Sequence, residues 1–317
     1  MIKLDERHII KIFQKKFSGK KFISEDVEMF RVGKNFGVIK TDTLVESTDV
    51  PPGMGPSQIA RKSIVAPVSD FAAKGVRPLY CIVSVSLPKG YSRSKVLQLA
   101  SGFKNASREF GFRILGGDTN EGKELVISPT LFGITKKITR RTGAKVGDHI
   151  IVTGPFGRTS AGLKIILRGK KASAGFKKLA KKAVFLPTPR LSFGTSAARY
   201  MTSAMDSSDG LSTTLNELSK QSKKRFVITQ IPKDDNLDNF AKNNRLDPID
   251  LVFNGGEEYE IVATVSTKDL GKIRKIARAR KIKLIVIGHV QKGTSVFLQK
   301  KQKLVKIRDG GWIHFTN

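Results

Sequence analysis

The sequence predicts an α/β chain, of the mixed α+β kind, folded as two domains in close succession. Three observations carry that expectation. Its 317 residues exceed what one hydrophobic core comfortably holds. Runs rich in β-branched residues alternate with stretches of helical periodicity along its whole length. A basic turn, ITRRTGAKVGD (138–148), interrupts the alternation near the middle, so the expected units are 1–137 and 138–317.

In the first unit, MIKLDERHIIKIFQKKF spaces its apolar residues along one helix face, and FGVIKTDTLVE (36–46) reads as extended chain. A PPGMGP turn leads into a helix over 57–75, where Pro67 lacks an interior N–H and is expected to kink it. Strand LYCIVSVSL (79–87), a helix over 92–111, and strands FRILGGDT (112–119) and LVISPTLFGITKK (125–137) follow. In the second unit, HIIVTG (149–154) runs into the glycine-rich turn and helix PFGRTSAGLKIILRG, then basic helices. Strands RFVITQI (225–231), EYEIVATV (258–265) and KLIVIGHV (283–290) and a short SVFLQ complete the pattern.

Composition narrows the class. A hydrophobic content of 39% with 29 glycines suits a folded α/β protein. The one cysteine, Cys81, permits no intrachain disulfide, and no apolar run reaches the ~20 residues of a membrane span. The N-terminus lacks the apolar stretch of a signal peptide, so the expected location is the cytoplasm, with no membrane partner.

The net charge of +31 collects in patches at 15–21, 168–182, 220–225 and 272–283. In the last, Ile273, Ile276 and Ala277 mark an apolar helix face, with bases largely between them. Zinc fingers, aromatic RNA platforms and basic zippers are all missing, which disfavours nucleic acid as the main partner. Such a field suits steering of a polyanionic small substrate.

Aspartates stand at strand ends or turns in several separated places: Asp26, Asp42, Asp70, Asp118, and the pair Asp206 and Asp209 in AMDSSDGLST. Each can be a local cap or ion-pair partner, and DGLSTTLNELSK does read as a helix start. Collectively they can converge on hard divalent cations, which take carboxylate oxygens alongside substrate phosphates. Gly116 and Gly117 before Asp118 permit close backbone approach to a ligand. The TGPFGRTSAG turn can offer N–H groups to an anion, though it lacks the Lys-Ser/Thr of a Walker A loop. Four histidines and one cysteine show no zinc spacing, and no Gly-x-Ser-x-Gly elbow appears, so no covalent nucleophile is expected.

Taken in order, KTDTLVESTDVPPGM, PVSDFAAKGVRP, GGDTNEG, RTGAKVGD, AMDSSDGL, NGGEEYE and GGWIHF resemble the thiamine-monophosphate kinases, particularly the archaeal type. These belong to the aminoimidazole-ribonucleotide synthetase superfamily. The resemblance covers nearly the whole chain. It implies a homodimer whose N-terminal halves form a β-barrel across the interface, and Mg²⁺-assisted transfer of the ATP γ-phosphoryl group to thiamine monophosphate. Carried over residue by residue, it implies metal ligation by Asp26, Thr41, Asp42, Asp70, Asp118, Asp206 and Asp209. It implies ATP contacts at Gly117, Asp118, Arg141 and Ser208, and substrate contacts at Glu257, Trp312 and the Asp49 position. Two departures stand out. The family's Gly-Asp-Asp is Ser24-Glu25-Asp26 here, and Asp49 replaces a histidine found in bacterial members. Related synthetases that act through a reactive cysteine near either end are disfavoured, since Cys81 sits in neither place.

Overall fold

A computed structural model describes residues 4–17 and 24–315, so part of the 15–21 basic patch lies outside it. The first half contains α1 (Glu6–Phe17), β1 (Glu28–Val32), β2 (Asn35–Thr41), β3 (Leu44–Val45), α2 (Glu46–Asp49) and α3 (Pro56–Lys74). Then come β4 (Pro78–Pro88), α4 (Arg93–Phe110), β5 (Arg113–Gly122) and β6 (Val126–Thr135). The second half contains β7 (His149–Val152), α5 (Arg158–Arg168), α6 (Ala174–Phe185), α7 (Leu191–Ala197), β8 (Met201–Asp206), α8 (Leu211–Ser222) and β9 (Arg225–Ile228). It ends with α9 (Leu237–Asn244), α10 (Pro248–Phe253), β10 (Ile261–Val265), α11 (Thr267–Ala279), β11 (Ile285–Gln291), β12 (Val296–Lys300) and β13 (Lys303–Ile307).

Among the described residues the strands make two sheets. One runs β1-β2-β6-β4-β5, with β3 also on β6, and only its β4–β5 pair is parallel. The other runs β13-β12-β9-β11-β7-β10-β8, with only β12–β9 parallel. The mixed two-part α/β expectation therefore holds. Among the described residues no helix is long and apolar enough to cross a membrane.

The long helix α3 positions the site because it packs against both halves. Ile64, Val68 and Phe71 are buried with Val38, Ile127 and Leu131 of the first sheet. Ala72 and Ala73 join a second core with Ile151, Phe193, Ala204 and Ile261. Approach is close: a Cβ on Gly194 of α7 would lie 1.9 Å from the Ala72 carbonyl. The helix continues past Pro67, which is buried within it. Packing on both sides outweighs the one hydrogen bond a proline removes.

Among the described residues, α3 and α4 cover the first sheet on one side. Its other face exposes Phe30, Tyr80, Ile82 and Leu115, with Phe132 stacked on Tyr80 at 6.4 Å. Sequence periodicity fails at two places that matter. The expected strand over 258–265 begins only at Ile261, because Glu257 and Tyr259 are in left-handed backbone, at φ 63° and 52°. The AMDSSDG stretch opens with strand β8, and the helix after it is capped by Gly210 at φ 128°, with no side-chain cap. Asp206 and Asp209 are not capping residues.

Candidate active site

Four chain segments deliver acids to one buried point between the two sheets. Side chains alternate along a strand, so Lys40 and Asp42, at and just beyond the end of β2, share a face. Residues four apart on a helix also share a face, which places Asp70 and Lys74 together near the end of α3. Asp206 ends β8, and Glu25 and Asp26 precede β1. Carboxylate oxygens of Asp26, Asp70 and Asp206 all lie within 4.8 Å of one another. Lys40 Nζ is 2.9 Å from Asp70 and 3.4 Å from Asp42, which draws Asp42 into the group.

This crowding sets the protonation of the site. Burial and then the charge of Asp26 push Asp206 up to about 7. Burial raises Asp70 well above the carboxylate range despite Lys40, and raises Asp42 too. Asp26 differs: burial would raise it, but Lys74 and Arg141 together hold it below its ordinary value. Asp26 Oδ2 faces the Lys74 ammonium at 2.9 Å, while Asp42 Oδ2 is buried and accepts no hydrogen bond. Three buried carboxylates converging at this spacing, with the unpartnered Asp42 oxygen beside them, fit a hard divalent cation that takes oxygen ligands.

The other expected site residues fall in three places. Arg141 donates to Asp26 and to Ser24 Oγ at 3.0 Å, while its backbone N–H meets Glu25 at 3.2 Å. The Thr41 hydroxyl, on the other face of β2, donates to the Pro129 carbonyl at 3.2 Å and accepts from Thr130 at 3.0 Å. Gly117 and Asp118 lie on exposed β5. Asp118 is in register with Ser84 and Ser84 with Ser128, whose hydroxyl is 3.0 Å from Thr43. That puts the Asp118 row three strand spacings, about 14 Å, from the end of β2. Gly117 is glycine because a Cβ would lie 1.8 Å from the Val83 carbonyl, so β4 rather than a ligand requires it. Gly117 and Asp118 line a cleft of about 670 Å³ with Val83, Phe103, Phe112 and Ile114.

The third place is a clasp of three loops around Ser208 and Asp209. Glu257 N–H donates to the Ser208 carbonyl at 2.5 Å, and Tyr259 N–H to that of Ser207 at 3.0 Å. Trp312 N–H donates to the Asp209 carbonyl at 2.9 Å. Two glycines make this contact possible: a Cβ on Gly256 would lie 2.8 Å from the Ser208 carbonyl, and one on Gly311 2.4 Å from that of Asp209. The Trp312 indole is half exposed beside this clasp. Burial and then Glu6 raise Asp209 to about 6. Asp49 turns inward, its Oδ2 accepting from Val45 N–H at 2.7 Å.

The glycine-rich turn before α5 is already occupied. Glu258 Oε1 accepts from Gly157 N–H at 2.7 Å and Thr159 N–H at 3.2 Å, so the anion at this helix start is the protein's own carboxylate. Sequence reasoning also passed over Lys40, Lys62 and Lys74. Their signals were there: Lys40 lies two residues from Asp42, and Lys74 four from Asp70. They were hidden among 58 basic residues.

Comparison with known proteins gives the family. Residues 24–135 match the family model "AIR synthase related protein, N-terminal domain", and 145–301 the corresponding C-terminal domain. The chain is 53% identical to thiamine-monophosphate kinase of Nitrosopumilus maritimus, over 99% of this chain and 100% of that one. It is 31% identical to that of Pyrococcus horikoshii, over 99% and 97%. A solved structure, "AaThiL complexed with AMPPCP and TMP", superposes with TM-score 0.87 at 26% identity, covering 99% of this chain and 98% of that one. Built from paired AIR synthase related domains, the chain belongs to the thiamine-monophosphate kinase family.

Proposed function

We propose that the protein transfers the γ-phosphoryl group of ATP to thiamine monophosphate, giving thiamine diphosphate and ADP. The observation that carries this reading is the meeting of the three loops on Ser208 and Asp209, two and three residues beyond the buried Asp206. It supports a cationic-ring site at Trp312 and Glu257 beside a phosphate-and-metal site.

Joining two polyanions is mostly a matter of position and charge. Asp26, Asp42, Asp70 and Asp206 would hold Mg²⁺, which when bound supplies the positive charge that neutralises the reacting phosphates. Burial resists the ionised form of Asp206 and Asp70, and a bound cation would relieve that resistance by supplying the missing positive charge. Asp118 and Asp209, with the Thr41 position, complete the ligand set we assign. Gly117 and Asp118 in the 670 Å³ cleft, with Arg141 and Ser208, are assigned to the nucleotide. Trp312 offers its indole face to the thiazolium cation, and Glu257 adds a carboxylate. Asp49 shapes this end through its carbonyl, its carboxylate being engaged by Val45.

We assign residues 1–137 to metal, nucleotide and dimer contacts, and 138–317 to the C-terminal α/β unit. The bare face of the first sheet, with Phe30, Tyr80, Ile82 and Leu115, supports a second copy closing a barrel. Purified protein with Mg-ATP and thiamine monophosphate should yield thiamine diphosphate and ADP. Robust phosphorylation of another acceptor, with none of this one, would overturn the reading.

A further inference from the structure

We propose that Lys62 is a positioning residue for the phosphate-acceptor end of the site. This rests on the kinase reading above. Lys62 lies in the second turn of α3, eight residues before Asp70, so about 12 Å along the helix axis from the acid cluster. Its side chain is only 4% exposed. Buried lysines are held by partners, and this one has two from separate segments. Its ammonium donates to the Asp49 carbonyl at 2.6 Å and pairs with Glu257 Oε1 at 2.7 Å.

Both partners are places where the chain needs fixing. Asp49 ends the one-turn helix α2, whose terminal carbonyls lack intrahelical partners. A donated lysine hydrogen bond satisfies one of them. Glu257 holds left-handed backbone, which a residue with a Cβ keeps only when its surroundings impose it. Two contacts impose it: the N–H to Ser208 and the Lys62 ion pair on the side chain. Glu257 is 28% exposed, so its carboxylate borders the opening rather than the core. Lys62 takes Oε1, so Oε2 is the oxygen left to a ligand. One ammonium thus fixes both walls of the acceptor end, the 46–49 turn and the 254–259 loop. It makes no contact with the aspartate cluster that serves the phosphates.

Lys62→Met, Lys62→Gln and Lys62→Arg, in the full chain, separate positioning from stability. Steady-state kinetics with Mg-ATP and thiamine monophosphate should show KM for the acceptor raised tenfold or more in Lys62→Met. KM for ATP and kcat should stay within about threefold. Lys62→Arg, which keeps a charged donor, should recover part of the loss, and Lys62→Gln less. Adding Glu257→Gln to Lys62→Met should raise the acceptor KM little beyond the larger single effect, because both remove one arrangement. Equal rises in both KM values, or an unchanged acceptor KM with a lowered melting temperature, would overturn the proposal. If Lys62→Met does not fold, the acceptor KM of Lys62→Gln against Lys62→Arg decides the same point. Failure of the kinase reading looks different, since the unaltered protein would then leave thiamine monophosphate untouched.

Discussion

The Lys74 ammonium lies 2.9 Å from Asp26 Oδ2 and 2.7 Å from Glu25 Oε2, and neither the Lys74 nor the Asp26 side chain reaches solvent. This pairing accounts for Ser24-Glu25-Asp26. The Glu25 carboxylate goes to Lys74 and to the Arg141 N–H, so it is a structural acid rather than a free ligand. Asp26, with Oδ1 on Arg141 and Oδ2 on Lys74, remains beside Asp70 and Asp206.

Removing the cation from such a pair leaves buried charge uncompensated. Lys74→Met should therefore destabilise the protein by about 3–5 kcal/mol in urea unfolding. Lys40→Met should cost clearly less, because Asp42 and Asp70, already raised, can take up protons in its place. Equal losses for the two lysines would show that the Asp26 side of the cluster is not the tightly held one.

The metal-free protein should lose stability as pH rises through the neutral range. Asp206 and Glu258 are raised to about 7 and Asp209 to about 6, in each case first by burial. Unfolded, these acids titrate near about 4, so between about pH 4 and 7 the folded chain holds more protons than the unfolded one. Stability then falls with rising pH across that window and levels off above it. Asp26 shifts downward, so its effect lies below the window. In EDTA the melting temperature should be higher at about pH 5 than at about pH 7.5, and Mg²⁺ should narrow the gap. A melting temperature rising over that interval without metal would contradict the burial argument.

Element order was legible because apolar periodicity records which face is buried: β6 buries alternate residues, and α3 is buried along most of its length. Strand β8 was less visible because Met201–Asp206 is buried at all but one position, so it shows no alternation. The loop at 257–260 misled for another reason. Its φ values come from hydrogen bonds to Ser207 and Ser208, some 50 residues distant in sequence, which no local pattern encodes. The acids of the site could be found as aspartates at strand ends. Their grouping could not: only the packing of α3 against both halves brings Asp26, Asp70 and Asp206 together and leaves Asp118 on the edge strand.

The basic surface should act on encounter rather than on chemistry. If the charge of +31 steers polyanionic substrates, kcat/KM should fall as salt rises, since screening acts over ~10 Å at 0.1 M. Lys275→Glu on α11 should leave turnover at saturating substrate unchanged. Tight, length-dependent binding of RNA or DNA at physiological salt would instead assign the surface to a nucleic-acid partner.

Asp206→Asn tests the centre of the site. The change keeps the size of the side chain but removes a ligand charge. Metal should bind more weakly, and phosphoryl transfer should slow by about a thousandfold. Folding should not suffer. Asp206 is buried within 4.8 Å of two other acids and is raised to about 7, so at neutral pH its charge is resisted by burial and by Asp26. A neutral amide relieves that resistance. The metal-free variant should therefore melt at the same temperature as the unaltered protein or higher, while its activity collapses. A capping or ion-paired aspartate would behave in the opposite way, losing stability and sparing catalysis. Gly210 holds the cap position of α8, which already argues against that role. Paired melting and rate measurements on Asp206→Asn decide between the two, and an unstable but active variant would remove Asp206 from the metal site.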